Sequence, residues 1–125
     1  MNQEIEKIAK EIVDIAFQIH VELGPGLFES VYEEAFCIEL GERGLSYQRQ
    51  HPIDIFYRAH RIEKAFKCDI LVDETIIIEL KSIDQIQKIH QKQIINYLKL
   101  TRLPLGFLIN FNEVLIKNGI QRIAN

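Results

Sequence analysis

Only two cysteines, Cys37 and Cys68, occur in the 125 residues, and neither has a C-x-x-C neighbour, so the pattern argues against a thiolate zinc site and predicts reduced, partly buried cysteines. The four histidines, His20, His51, His60 and His90, are scattered without an H-E-x-x-H pair, which removes the helical zinc-hydrolase pattern and leaves them as surface or structural side chains. Proline and glycine are sparse and no repeat or low-complexity tract interrupts the chain, so residues 1–125 read as one domain. No apolar run approaches membrane-spanning length. The amino terminus is rich in Glu and Lys and lacks the basic-then-apolar pattern of a signal peptide, so a cytoplasmic protein with no membrane contact is expected. Positive charge is also short: the net charge is −3, which argues against coating nucleic acid by bulk electrostatics and confines any such contact to a local patch.

What the chain does contain is strong periodicity. Ile5, Ile8, Ile12, Ile15, Ile19 and Leu23 recur at helical steps, predicting a helix over 3–23 that Gly24-Pro25-Gly26 stops. Ser30 and Glu33 have capping-box spacing for a second helix, with a start one or two residues earlier left open, and Val31, Ala35, Phe36 and Leu40 supply its apolar face up to Gly44. Leu45–Arg58 alternates as a strand that Pro52 restricts to an edge, and a turn is expected over residues 58–61. Residues 62–72 and 75–81 then form a hairpin, residues 85–101 a third helix and residues 105–109 a buried strand, with weaker extended segments near 114–116 and 120–123. Ile76-Ile77-Ile78 is apolar on both faces and should lie centrally. The expected class is α/β: a mixed central sheet flanked by helices in the order α-α-β-β-β-α-β, the 75–81 and 105–111 strands parallel across a right-handed crossover.

Within the hairpin, Asp69, Glu79 and Lys81 sit in otherwise apolar strands, and desolvating an unpaired ion costs several kcal/mol or more. Side chains alternate along a strand, so Glu79 and Lys81 share a face. A hairpin centred on Glu74 puts Asp69 opposite Glu79 on that face. Two carboxylates there suit a hard divalent cation such as Mg²⁺, and a lysine beside them can hold water or offset phosphate charge; an ordinary buried salt bridge is the alternative. In the third helix a stripe of Ile86, Ile89, His90, Gln93, Tyr97 and Leu100 puts an amide where a hydrophobe would pack better. Gln93 and Tyr97 then either face the site or sit at the helix boundary.

Gly26-Leu27-Phe28-Glu29-Ser30-Val31-Tyr32 matches G-x-x-E-x-x-Y, and the chain resembles the GxxExxY proteins, a branch of the PD-(D/E)xK nuclease superfamily. The likeness extends over nearly the whole chain, through Asp69, Glu79-Leu80-Lys81, Gln93-Ile94-Ile95-Asn96-Tyr97 and Leu108-Ile109-Asn110-Phe111, with a Cys-Asp step at Cys68-Asp69 in place of Pro-Asp. The resemblance implies a restriction-endonuclease-like core in which Asp69, Glu79 and the main-chain carbonyl of Leu80 hold Mg²⁺ or Mn²⁺ and Lys81 positions the attacking water. It further implies that Gln93 and Tyr97 support the lysine, the metal or a substrate phosphate. The helix glutamate maps to Glu29, with Glu33 one turn away as the competing candidate.

The implied activity is metal-dependent phosphodiester hydrolysis in nucleic acid, DNA ahead of RNA. The alternatives are a nuclease-like module that binds nucleic acid or a protein without turnover, and a structural homodimer built on a buried ion network. Arg43, Arg49, Arg58, Arg61, Lys88 and Lys92 are the candidate phosphate contacts.

Overall fold

The computed structural model describes residues 1–125. Helix α1 spans Gln3–Leu23, its first turn capped by Asn2 Oδ1, which accepts the Ile5 N–H at 2.8 Å. The isoleucines from Ile5 to Ile19 are buried as their spacing requires. Helix α2, Glu29–Glu42, begins earlier than the Ser30–Glu33 box implies: Phe28 is the N-cap, no side chain caps it, and Ser30 lies inside the first turn. Glu33 is drawn away from that role by Arg49 and Gln50, charged and amide donors that outweigh a cap bond.

The strands are β1 (Tyr47–Tyr57), β2 (His60–Val72), β3 (Ile76–Lys81), β4 (Leu105–Asn110) and β5 (Ile120–Ala124), with helix α3 (Lys88–Thr101) between β3 and β4. They form one mixed sheet in the order β1-β2-β3-β4-β5. β3 and β4 are parallel and the remaining pairs antiparallel, so β3 is central and Ile76, Ile77 and Ile78 are all buried. β1 is an edge strand and accommodates Pro52 there. Asp73 and Glu74, both left-handed, turn the β2–β3 hairpin about Glu74.

Three local expectations need correction. The turn after β1 is only Arg58–Ala59, because His60 and Arg61 already pair with β1. α3 starts at Lys88, three residues late. Residues 114–115 are not a strand: Val114 and Leu115 are exposed, Ile116–Gly119 is a 3-10 turn, and the chain pairs again only at β5.

The two faces of the sheet are covered unequally. α1 and α2 pack on one side through a cluster of 21 buried residues, including Tyr32, Phe36, Ile78, Leu80 and Phe107, whereas α3 covers the other through Ile94 and Leu98 against Cys68, Leu71 and Ile77. α3 approaches β4 closely because Gly106 has no side chain; a Cβ there would lie 2.9 Å from Ile94 Cδ1 and 3.1 Å from Ile94 Cγ1. Gly106→Ala should therefore push α3 outward and destabilise the fold by about 1–3 kcal/mol. Urea unfolding checks this, and a midpoint equal to the parent's would show that Ile94 yields without cost.

Candidate active site

The β2–β3 ladder pairs Ile70 with Ile78, Leu71 with Ile77 and Val72 with Ile76, so continuing the register by one residue sets Asp69 across from Glu79. At that point a side chain takes over from the backbone. Asp69 Oδ2 accepts the Leu80 N–H at 2.8 Å. In an extended strand the N–H and C=O of one residue point to the same edge, so the Leu80 carbonyl also faces the Asp69 side while its side chain enters the core. Asp69, Glu79 and the Leu80 backbone are thereby brought together.

The Asp69 and Glu79 carboxyls are close enough to perturb each other, and as ionised carboxylates they have only acceptors to offer. Glu79 Oε1 is buried without any partner, the one such side-chain atom in the protein. Burial, and then the Asp69 charge, push the Glu79 carboxyl up to about 9, with the Lys81 charge pulling the other way. Burial also raises Asp69, against the Leu80 N–H, which favours the ionised form. Behind the pair, burial and then the charges of Glu79 and Asp69 push the Cys68 thiol up to about 12, leaving it an inert packing residue.

Glu79 and Lys81 open on one cavity of about 80 Å³, completed by His90, Gln93, Ile94, Tyr97 and Leu108. The space suits a few waters and is too small for a nucleobase. Tyr97 is fixed by stacking on Phe66 with centroids 3.8 Å apart, and its hydroxyl is held in the neutral form by burial and by the Glu79 and Asp69 charges. Gln93 lines the cavity but is exposed, so water can satisfy its amide and it does not sit where a hydrophobe would pack. The buried line of α3 runs through Ile94 and Leu98, and Ile89 and Leu100 of the expected stripe are solvent-facing.

Of the two helix glutamates, Glu33 is the one the structure brings to the site. It is 8% exposed, accepts from Arg49 Nε and Gln50 Nε2 at 2.6 Å each, and Gln50 Nε2 also reaches Asp69 Oδ1 at 3.4 Å. Glu29 is exposed in the first turn of α2. Its motif neighbours have a structural task instead. The Tyr32 hydroxyl donates to Gly24 O at 2.6 Å and accepts the Leu27 N–H at 3.1 Å, clamping a loop in which Gly24 and Gly26 have positive φ. The Tyr32 ring stacks on Phe111 at 4.4 Å.

Sequence reasoning missed Gln50 and the role of Asn110. Buried Asn110 accepts the Ile83 N–H and donates to Ile83 O, and Phe111 N–H donates to Lys81 O, so the segment after Lys81 is held to the end of β4. Three of the six candidate cations are already engaged. Arg43 ties Glu11 and Asp14 of α1 to α2, and Arg49 pairs with Glu33 and Glu34. Arg61 pairs with Asp54, Arg58 lies over the Tyr57 ring, and Lys88 and Lys92 are exposed on α3.

Nowhere do three His, Cys, Asp or Glu side chains form a metal-holding group. The set that does converge is two carboxylates with a main-chain carbonyl, all oxygen donors of the kind a hard divalent cation takes. The orphaned Glu79 oxygen supports that fit, because a cation would satisfy it.

A family model described as the PD-(D/E)XK nuclease superfamily matches residues 6–123, and the chain belongs to that superfamily. Searches of curated proteins and of solved structures return no match.

The orphaned carboxylate generates a test. In chelator-treated protein at neutral pH, Glu79→Gln should raise the unfolding temperature, since it removes a buried acid crowded against another. Added Mn²⁺ should raise it for the parent and leave the variant unmoved. A variant less stable than the metal-free parent would show that Glu79 is satisfied by Lys81 alone.

Proposed function

We propose that the protein is a metal-dependent nuclease, hydrolysing nucleic-acid phosphodiesters with Asp69, Glu79 and the Leu80 carbonyl as ligands of Mg²⁺ or Mn²⁺. The observation carrying this reading is the pair of half-buried carboxyls set across from each other, with one Glu79 oxygen buried and unpaired. Bound there, a divalent ion would neutralise charge on the scissile phosphate and acidify a water.

The residues of the chain divide the remaining work by charge. Lys81 follows Glu79 on the same strand face, lines the cavity and makes no salt bridge, so its ammonium is free to orient the water that attacks phosphorus. Gln93 and Tyr97 face Lys81 from α3 and offer neutral donors to phosphate oxygens, which the carboxylates alone would repel. The Asn110 and Phe111 bonds keep the segment after Lys81 in place, so the lysine enters the site from a fixed backbone.

Because the cavity holds no base, the polynucleotide must lie across its mouth. The β1–β2 hairpin beyond Ile53 and Phe66 has no third strand, and it carries Phe56 and Tyr57, 65% and 62% exposed, beside Arg58, Lys64 and Lys67. Residues 53–67 hold four Lys or Arg against two Asp or Glu, leaving eleven against sixteen for the rest of the chain, so this arm is the basic part of an acidic protein. Exposed aromatic faces among cations suit stacking with unpaired bases, and DNA is the first substrate to try.

The test is metal-dependent cleavage of single-stranded, double-stranded and branched oligonucleotides by the parent and by Lys81→Met, which keeps the packing stem. The variant should bind Mn²⁺ as tightly as the parent in calorimetry yet lose at least about a hundredfold in turnover. Equal cleavage by both would reduce Lys81 to a charge neighbour. Oligonucleotide binding by the parent with no cleavage in either metal would leave a binding module in place of an enzyme.

A further inference from the structure

We propose that His90 is a substrate-contacting residue, whose Nε2–H donates a hydrogen bond to a non-bridging oxygen of the phosphate in the cavity. The proposal rests on the phosphodiesterase reading above and adds a residue to it.

The tautomer follows from one bond. The Gln87 backbone N–H donates to His90 Nδ1 at 2.9 Å, and a main-chain amide can only donate. Nδ1 is therefore the bare nitrogen of the neutral ring and the proton sits on Nε2. The same bond belongs to a reciprocal cap between Gln87 and His90 at the start of α3, so the ring is held by the helix terminus itself.

Capping uses only the near side of the ring. A side chain with a single acceptor would serve it, and glutamate or glutamine is the common solution at this third helical position. The far nitrogen, Nε2, has no protein partner, and the residue lines the same cavity as Glu79, Lys81 and Gln93. His90 and Gln93 are three residues apart on α3 and so project to neighbouring positions on one side of the helix. The cavity wall thus has two halves: a carboxylate from β3, and donors from Lys81, Gln93 and His90. A phosphate bridged between a cation and a protein needs such donors for the oxygens the cation does not take.

Two substitutions separate the cap from the contact. His90→Asn places an acceptor near the Nδ1 position and nothing near Nε2, whereas the His90→Gln amide can accept from the Gln87 N–H and still present an N–H towards the Nε2 position. His90→Asn should unfold at the parent's temperature and lose about tenfold to a hundredfold in kcat/KM for Mn²⁺-dependent cleavage of a single-stranded oligonucleotide. His90→Gln keeps both the cap and a far donor, so it should unfold near the parent's temperature and keep more of the activity than His90→Asn. The reverse order, with His90→Asn fully active, overturns the proposal and makes the histidine a cap alone.

A second readout does not need turnover. The ring-nitrogen resonances of His90 are followed in Mg²⁺ while a short oligothymidylate is added. A saturable shift confined to Nε2 supports the contact, and no shift overturns it. A parent that cleaves nothing in either metal refutes the phosphodiesterase reading separately, because the resonance still reports whether His90 meets a phosphate.

Discussion

The Asp69 carboxylate takes the Leu80 N–H, and the shape of the site follows from that bond. A backbone amide on a central strand must be paired, and here the partner is a side chain. Paired residues of β2 and β3 extend from the turn only to Ile70 and Ile78 before the carboxylate intervenes. The arrangement anchors Asp69 through one oxygen while the other meets Gln50 Nε2. It also directs the Leu80 carbonyl to the same edge. Membership of the PD-(D/E)XK nuclease superfamily accounts for the overall fold, but the convergence of oxygens at one spot is produced by this local substitution of side chain for main chain.

Around that point the charges are sorted. Arg49 binds and neutralises Glu33, and Gln50 spans the gap between Glu33 and Asp69. Arg43 performs the analogous service between α1 and α2, far from the site. Neither arginine has a free fork to offer a polynucleotide. Of the six candidate phosphate contacts, those without an ion pair are Arg58 on the β1–β2 arm and Lys88 and Lys92 on α3.

Much of this was legible in the sequence where the determining pattern is local. Isoleucine spacing located α1, the Asp73-Glu74-Thr75 turn set the register that opposes Asp69 and Glu79, and the apolar triplet of β3 required a central position. The remainder depended on contacts between distant segments. Glu33 and Glu29 are one turn apart, and only the position of Arg49 and Gln50, brought over by β1, selects Glu33 as the neighbour of Asp69. The phase of α3 was misjudged because Ile89, Ile94, Ile95, Leu98 and Leu100 spread apolar groups around the helix; Gly106, on another element, decides that Ile94 and Leu98 face inward. Val114 and Leu115 read as strand from composition, yet no neighbouring edge is available to them before β5. His90 carried a recognisable signal, a side chain three residues after an N-cap position, which a search for paired histidines passes over.

The unequal cores on the two faces of the sheet give the molecule a directional stability. α1 and α2 share a continuous apolar layer with four strands, whereas α3 commits only two buried side chains to a small cluster. Local opening releases an element at a free energy set by the apolar surface it exposes, so α3 belongs to the low end of that scale and the opposite layer to the high end. Detachment of α3 would carry Gln93, Tyr97 and His90 away together while Asp69, Glu79 and Lys81 stayed on the sheet. The acidic half of the site is thus built into the most protected part of the protein, and its neutral donors ride on the part that exchanges with solvent first.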